Sequence, residues 1–302
     1  MGQTAFIFPG QGAQYVGMGR DFYENCPESA AVFELAEQVT GLPVRALCFE
    51  ENDQLNITEY TQICLLSAEL AVLKAVEQRC RPDVTAGLSL GEYAALVAAG
   101  KLDMADAMAL VRKRGIYMQE AVPTGGAMAA VLGLDNETVE QICAGTPGIV
   151  ELANYNCPGQ IVISGEEAAV AAAGEAIRAA GAKKVTTLKV SGPFHSSMLK
   201  GAGEKLAQAL EGVLVTASDI PYVCNTQAQY VTDPSLIKPL LIRQVSSSVR
   251  WEQSIRAMTW AGVDTFVEIG PGRTLCGFLK RIDRSVKAIN IDKFEDLKKL
   301  EM

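Results

Sequence analysis

Two residues of this chain have the types and the sequence context that nucleophilic chemistry requires. Ser89 lies in Gly87-Leu88-Ser89-Leu90-Gly91, which matches the G-x-S-x-G pattern, and it falls between a predicted strand and a predicted helix. The glycines leave room for a strained turn, and the helix directs its N-terminal N–H groups at the serine oxygen. The pattern predicts a reactive serine; the alternative is a tight turn whose serine only caps the following helix.

A reactive serine needs a base, and His195 is the single histidine of the chain. It follows Gly192-Pro193 in a predicted loop, where catalytic groups commonly lie. Asp103, Asp106 and Asp135 lie between the serine and the histidine, but none is an obvious third triad member. In α/β-hydrolases the histidine usually lies near the C-terminus, whereas about a third of this chain follows His195. We therefore predict a Ser–His dyad whose imidazole is oriented by a backbone carbonyl, with a histidine satisfied within its own loop as the alternative.

The amino-acid composition and net charge of the chain exclude or disfavour several classes of protein. The chain has 302 residues, 49% hydrophobic and 21% charged, which is typical of a globular protein of about two domain units. Its 27 basic and 35 acidic residues give a net charge of -8, which disfavours nucleic acid and anionic membranes as partners. A single histidine excludes a metal site built from two or three imidazoles.

Cysteine usage and the N-terminus favour a cytoplasmic location. The eight cysteines form no C-x-x-C pair and lie mostly among apolar residues, as buried reduced thiols do. The first eight residues lack a basic region followed by a long apolar run, so we expect no signal peptide. The most apolar segment, 94–100, is too short to span a bilayer.

Short apolar runs that predict strands alternate along the chain with segments whose apolar residues have the spacing of a helix. This alternation predicts an α/β core with a mostly parallel sheet. These elements lie before residue 125 and after residue 195. The predicted strands are 4–8, 84–87, 221–224 and 265–269. The predicted helices are 28–39, 61–78, 92–99, 103–121, 199–211 and 251–261.

The middle of the chain has a different pattern. Strands are predicted at 127–134, 149–154, 160–164 and 183–190, with helices at 135–143 and 166–180 and a turn at 156–159. The order βαββαβ is the signature of a ferredoxin-like unit. We therefore predict a large hydrolase-like core formed by residues 1–124 and 196–302, with a small ferredoxin-like subdomain, 125–195, inserted into it.

Several segments together resemble one family, the bacterial malonyl-CoA:acyl-carrier-protein transacylases. The segments keep the family's order and extend over most of the chain, so they are far more specific than the serine motif alone. They are 8–14, 17–19, 87–93, 114–121, 156–160, 190–195, 243–251 and 268–272.

The resemblance implies a role for each matched residue. Ser89 would accept the malonyl group as an ester, and His195 would act first as general base and then as general acid. Gln11 and Leu90 would provide the backbone N–H groups of the oxyanion hole. Arg114 would pair with the free carboxylate of malonate and so select diacid thioesters over acetyl-CoA.

Three further residues complete the implied site. Gln244 would offer its backbone carbonyl to the histidine, and Gln62 would lie in the acyl pocket. Phe194 would occupy the space that a methylmalonyl branch needs. The residues alone favour a different interpretation, in which Arg114 is a solvated charge beside Arg112 and Lys113 on its helix.

One position departs from the family's pattern. The family usually has histidine before the serine, and this chain has Leu88. The family's residue at that position is not the general base, so the resemblance still implies the same mechanism with an altered pocket hydrogen bond.

The resemblance also implies partners. Malonyl-CoA would be the substrate, and the phosphopantetheine thiol of an acyl carrier protein the acceptor, with no metal or other cofactor and a monomeric enzyme. Because such carriers are acidic, docking needs a local basic patch, although solvated charged faces are the alternative. The candidates are Lys280, Arg281 and Arg284, or Lys183, Lys184 and Lys189.

Three other interpretations of function stay open at this point. An esterase or thioesterase would use the same Ser–His pair with water. A polyketide acyltransferase acting in trans would share these motifs. A non-catalytic carrier-binding module would be consistent with Leu88.

Overall fold

The fold is described for residues 2–301 by a computed structural model. Its strands are β1 (Gln3–Phe8), β2 (Val84–Gly87), β3 (Gly126–Leu132), β4 (Val150–Cys157), β5 (Gln160–Glu166), β6 (Lys184–Thr187), β7 (Tyr222–Val223), β8 (Tyr230–Val231), β9 (Val263–Ile269) and β10 (Lys287–Ile291).

The α-helices alternate with these strands. They are α1 (Arg20–Asn25), α2 (Pro27–Thr40), α3 (Val44–Phe49), α4 (Thr58–Val76), α5 (Gly91–Ala98), α6 (Met104–Ala121), α7 (Asn136–Gly145), α8 (Glu167–Ala179), α9 (Lys200–Leu210), α10 (Ile237–Gln244), α11 (Trp251–Trp260) and α12 (Thr274–Ile282).

A six-stranded sheet forms the centre of the larger part of the molecule. Its order is β10-β9-β1-β2-β7-β8, and every adjacent pair is parallel except β7 and β8. The central strands β1 and β2 are short apolar runs whose sheet-centre residues are buried, as in a parallel sheet covered on both faces. The predicted α/β class with a mostly parallel sheet is confirmed.

A separate four-stranded sheet lies within residues 126–187. Its order is β4-β5-β3-β6, all antiparallel, which is the strand order of a ferredoxin-like unit. Helices α7 and α8 contact this sheet, and the unit has its own apolar core, which includes Val139, Ile161 and Ile177. The domain boundaries after residues 124 and 195 stay a prediction.

The structure differs from the sequence-based expectation mainly in short elements. Helices α1, α3, α10 and α12 and strands β8 and β10 were not predicted, because elements of two to nine residues give little periodic signal. Strand β6 ends at Thr187, although the apolar pattern continues to residue 190, because the chain there leaves the sheet toward His195. Strand β4 continues through Cys157, so the predicted turn at 156–159 is limited to residues 158 and 159.

Candidate active site

Ser89 lies in a sharp turn between β2 and α5. Its φ of 56° is in the left-handed region, which is uncommon for a residue with a Cβ. The neighbouring glycines are required by space: a Cβ at Gly87 would lie 1.9 Å from the Gly91 carbonyl carbon, and one at Gly91 would lie 2.3 Å from Phe8 O. The turn therefore lifts the serine out of the sheet into a cleft, as in a nucleophile elbow.

His195 faces this serine from the opposite side of the cleft. The distance between Ser89 Oγ and His195 Nε2 is 2.7 Å. On the other side of the ring, Nδ1 lies 2.9 Å from Gln244 O and 3.2 Å from Ser247 O. Because both of these partners are carbonyl oxygens, Nδ1 carries the proton and Nε2 is left to accept the hydrogen bond of the serine hydroxyl.

The environment keeps the imidazole neutral. Burial, together with the positive charge of Arg114, lowers the pKa of His195 to about 4. The ring is therefore uncharged at neutral pH, which is the form that can take a proton from a serine.

Arg114 is buried in the same site rather than solvated. It lies on α6 with 1% of its surface exposed, and its guanidinium donates hydrogen bonds to Gln62 Oε1 at 2.7 Å and Gln244 Oε1 at 3.0 Å. Its Nη2 also lies 3.2 Å from Ser89 Oγ. All three partners are uncharged, so no described carboxylate neutralises the cation through a hydrogen bond. Such a site favours an anionic ligand.

Gln62 and Phe194 line the cavity beside this cation. The Gln62 side chain contacts Met118 Sδ through its Nε2 at 3.5 Å, which directs its oxygen at Arg114. Phe194 is buried next to His195 and forms part of the cavity wall. The structure thus places both predicted pocket residues within the site.

Gln11 and Leu90 leave backbone N–H groups available near the serine. Among the described residues neither N–H has a hydrogen-bond acceptor, and both residues line the cavity. The Gln11 side chain is held away from the cleft because its Nε2 donates to Thr58 Oγ1 at 3.0 Å. Free N–H groups in this position can stabilise an oxyanion.

Leu88 contributes an apolar surface instead of a polar group. Its side chain packs with the cluster that contains Trp251 and Leu275, and it lines the cavity. Its backbone N–H donates to Phe8 O at 2.9 Å, which anchors the elbow to β1. The dyad involves no atom of this residue.

Gln244 connects the parts of the site through its side chain as well as its carbonyl. Its Nε2 donates to Ser89 O at 2.8 Å and to Glu92 Oε2 at 2.7 Å, while its Oε1 faces Arg114. Burial raises the pKa of Glu92 to about 7.

Sequence reasoning did not select Asn225, or the side chains of Glu92 and Gln244, for this network. Asn225 follows a predicted strand beside the serine strand, which is the signal that could have found it.

The cleft between the two sheets is large enough for an extended ligand. Its volume is about 630 Å³, within the range of small-molecule sites. The small sheet contributes Asn154, Asn156 and Gln160, and the α12 region contributes Leu275 and Phe278. The cavity lining thus combines polar and apolar side chains.

Two kinds of feature are absent from residues 2–301. No group of three or more His, Cys, Asp or Glu side chains is arranged to hold a metal ion. No helix has both the length and the apolar character needed to cross a membrane.

Comparison with known proteins gives the family of the chain. The family described as the acyl transferase domain matches residues 5–294. The chain belongs to this acyl transferase family. A Bacillus subtilis (strain 168) protein named malonyl CoA-acyl carrier protein transacylase is 46% identical over 297 residues, which cover 96% of this chain and 94% of that protein.

Solved structures of other acyl transferases agree closely with this fold. A structure described as MCAT from Streptococcus pneumoniae has a TM-score of 0.95 and 47% identity, with 99% of each chain covered. Another, described as a type II PKS acyl-carrier protein in complex with its malonyl-transacylase, has a TM-score of 0.96 and 40% identity, with 99% of this chain and 98% of that chain covered.

Proposed function

We propose that this chain transfers the malonyl group from malonyl-CoA to the phosphopantetheine thiol of an acyl carrier protein for fatty acid synthesis. One observation carries the proposal: within residues 2–301 the buried Arg114 cation has no hydrogen-bonded carboxylate partner, and it lies 3.2 Å from the serine oxygen of the Ser89–His195 dyad. An acyl group with a free carboxylate would neutralise this charge while its thioester reaches the serine. The names of the relatives support the same substrate and acceptor.

The first half-reaction forms an ester on the enzyme. Ser89 Oγ attacks the thioester carbonyl while His195 Nε2 takes the hydroxyl proton, and the oxyanion accepts hydrogen bonds from the Gln11 and Leu90 N–H groups. The C–S bond then breaks, and the imidazolium returns the proton to the departing CoA thiolate. The Gln244 carbonyl stabilises the imidazolium through Nδ1–H.

The second half-reaction reverses this order with a new thiol. His195 takes the proton of the phosphopantetheine thiol, and the sulfur attacks the malonyl ester carbonyl. The C–O bond to Ser89 breaks, and the serine oxygen recovers the proton. The steps give ping-pong kinetics and consume no co-reactant other than the two thiol partners.

A polyketide carrier is the second candidate acceptor. A structural neighbour at 40% identity is described as a malonyl-transacylase in complex with a type II PKS acyl-carrier protein. Transfer rates to purified fatty acid and polyketide carriers, measured side by side, distinguish the two acceptors.

We also propose that the enzyme works in the cytoplasm without a metal or other cofactor. All eight cysteines are free, and seven of them are buried, which fits a reducing compartment. The proposed steps need only the side chains and backbone groups named above.

Intact-mass measurement after mixing with malonyl-CoA, acetyl-CoA or methylmalonyl-CoA tests this proposal. We expect the wild-type protein to gain the mass of one malonyl group and Ser89→Ala to gain none. Ser164→Ala, which removes a buried hydroxyl of the small sheet, is the matched control and keeps the label. Release of the label by water as fast as by a pantetheine thiol would instead identify a hydrolase.

A further inference from the structure

Asn225 lies beside the nucleophile although its own sequence context does not indicate chemistry. It follows β7, which pairs in parallel with β2, the strand that leads to Ser89. The carboxyl ends of parallel neighbours meet at the same edge of a sheet. Only 1% of Asn225 is exposed, so its amide must find its hydrogen-bond partners within the protein.

Both ends of this amide bind the backbone of the elbow. Asn225 Oδ1 accepts a hydrogen bond from Ser89 N at 2.7 Å, and Nδ2 donates one to Gly87 O at 2.6 Å. The amide therefore bridges the peptide groups on either side of Leu88. Asn225 does not line the cavity, so this contact is separate from substrate binding.

The serine backbone needs this support because of its conformation. A φ of 56° is rarely adopted by a residue with a Cβ, and it persists where the surroundings fix it. Gln244 Nε2 holds the opposite side of the same residue through Ser89 O at 2.8 Å. Two side-chain amides thus hold both the N–H and the C=O of the nucleophile.

Asn225 is itself held in place through its main chain. Its C=O accepts a hydrogen bond from Arg250 N at 2.9 Å, and its N–H faces Glu92 Oε2 at 3.4 Å. The two elbow groups also fix the orientation of the Asn225 side-chain amide. The Ser89 N–H requires an acceptor, which is Oδ1, and the Gly87 carbonyl oxygen requires a donor, which is Nδ2.

We propose that Asn225 is a positioning residue for the nucleophile. It holds Ser89 in the conformation that brings Oγ within 2.7 Å of His195 Nε2. It also occupies the Ser89 N–H, so the oxyanion is left to the N–H groups of Gln11 and Leu90. This inference rests on the proposed role of Ser89 as the acylated residue. Loss of the bridge lowers the rate of acylation and leaves the binding of malonyl-CoA intact.

The test compares Asn225→Ala and Asn225→Asp with Thr226→Val as control. Thr226 is the next residue, is buried, and makes no hydrogen bond to the elbow. Rapid-quench intact-mass measurements over a range of malonyl-CoA concentrations give the maximal acylation rate and the half-saturating concentration. The thermal midpoint of each variant and the pH profile of acylation are recorded alongside.

We expect Asn225→Ala to lower the maximal rate about 100-fold, as misplacement of a reacting group does, with little change in half-saturation. Asn225→Asp keeps an acceptor for the Ser89 N–H but places an oxygen against Gly87 O, so we expect its maximal acylation rate to fall about 10-fold. The acid limb of the pH profile stays that of the wild type, because the ring stays buried and its Nδ1 keeps the carbonyls of Gln244 and Ser247 as partners. Thr226→Val acylates at the wild-type rate.

The inference is overturned if Asn225→Ala acylates at the wild-type rate, or if its loss appears only in half-saturation or equals that of Thr226→Val. Where Asn225→Ala does not fold, the nearly isosteric Asn225→Asp decides, and a wild-type rate there overturns the inference. Labelling by a fluorophosphonate, which needs the activated serine but not the malonyl pocket, is measured for every variant. A wild type that reacts with this reagent but not with malonyl-CoA contradicts the proposed function alone, and the Asn225 comparison then uses the labelling rates.

Discussion

At the scale of single residues, the site is organised around charge. Arg114 supplies a buried positive charge whose hydrogen-bond partners among the described residues are all neutral, and His195 is kept neutral by burial and by that charge. The same cation therefore attracts an acidic acyl group and holds the base in its reactive form. When a malonyl carboxylate binds, its negative charge offsets that of the arginine, and the imidazole can then take the serine proton more readily.

The low pKa of His195 predicts an unusually acid-tolerant reaction. A base becomes inactive when it is protonated, so kcat/KM for acylation by malonyl-CoA is expected to stay constant from neutral pH down to about pH 5 and to fall as pH approaches 4. A pH profile of acylation measures this. A midpoint near 6.5, the ordinary histidine value, would contradict it.

Replacement of His195 is expected to remove the base altogether. His195→Ala leaves the chain without any imidazole, so we expect kcat/KM for acylation by malonyl-CoA to fall about 10³-fold or more at every pH.

Substitution of Arg114 is expected to change which acyl group is transferred. Arg114→Ala lowers kcat/KM for malonyl-CoA by about 10²-fold or more, because the carboxylate loses a charged, buried partner, and it raises the relative rate with acetyl-CoA. Arg114→Lys recovers only part of the loss, since an ammonium cannot bind a carboxylate bidentately. The adjacent exposed Lys113→Ala is the control and leaves both rates unchanged. Equal losses with both thioesters would argue against carboxylate recognition.

At the scale of elements, the crossing of β2, α5 and β1 creates the reactive turn. Gly87 and Gly91 let the start of α5 approach the strands very closely. The space that a Cβ at either position would need is filled by backbone atoms of the neighbouring element. Strand β7 brings Asn225 to the same edge, and the end of α10 brings Gln244. Each element therefore contributes its terminus to the site, because termini of neighbouring elements meet at the carboxyl edge of a parallel sheet.

Gly87→Ala is expected to disrupt this crossing. A Cβ would lie 1.9 Å from Gly91 backbone, which cannot move without displacing α5, so we expect a loss of about 3 kcal/mol or more in the free energy of unfolding and loss of serine labelling. Gly277→Ala is the control within a helix: its Cβ would contact nothing within 4 Å, and alanine favours a helix by about 1 kcal/mol. Chemical denaturation of both variants measures the difference. Equal stabilities would contradict the close approach.

At the scale of the whole molecule, the two sheets form opposite walls of one cleft, and two basic residues lie beside the β4–β5 turn that borders it. Arg281 on α12 donates to Gln160 Oε1 at 2.8 Å and to Pro158 O at 2.7 Å, so the end of α12 lies against the β4–β5 turn. Lys183 lies on the other side of that turn, beside Gly133. Arg281 and Lys183, one from each of the two predicted basic groups, thus lie near the same turn and suit a single acidic partner, although the net charge is -8.

Charge reversal tests this surface as the carrier-docking site. Lys280→Glu/Arg281→Glu and Lys183→Glu/Lys184→Glu are each expected to raise KM for the carrier protein about 10-fold at low salt, with KM for malonyl-CoA unchanged. Lys113→Glu/Lys205→Glu makes the same charge change on exposed residues that do not line the cleft, and it should leave both constants unaltered. Equal effects of all three double variants would show a response to net charge alone.

The sequence by itself determined the class of fold, and it predicted the chemistry of the principal residues. The apolar run of β1, the glycines around Ser89 and the single histidine constrain local structure and reactivity directly, since they act through backbone sterics and side-chain type. The order βαββαβ likewise indicated the small sheet that the structure contains. The roles assigned to Phe194 and to the other site residues stay predictions until they are measured.

Only the tertiary structure decided whether Arg114 is solvated or buried, and what holds Ser89 in place. Arg112, Lys113 and Arg114 are consecutive basic residues on one helix, and the sequence does not reveal that only the last faces the cleft. Asn225 lies 136 residues from Ser89 and meets it because β7 pairs with β2. Pairing between distant strands and the burial of a charge depend on how the whole chain packs, which local sequence patterns do not specify.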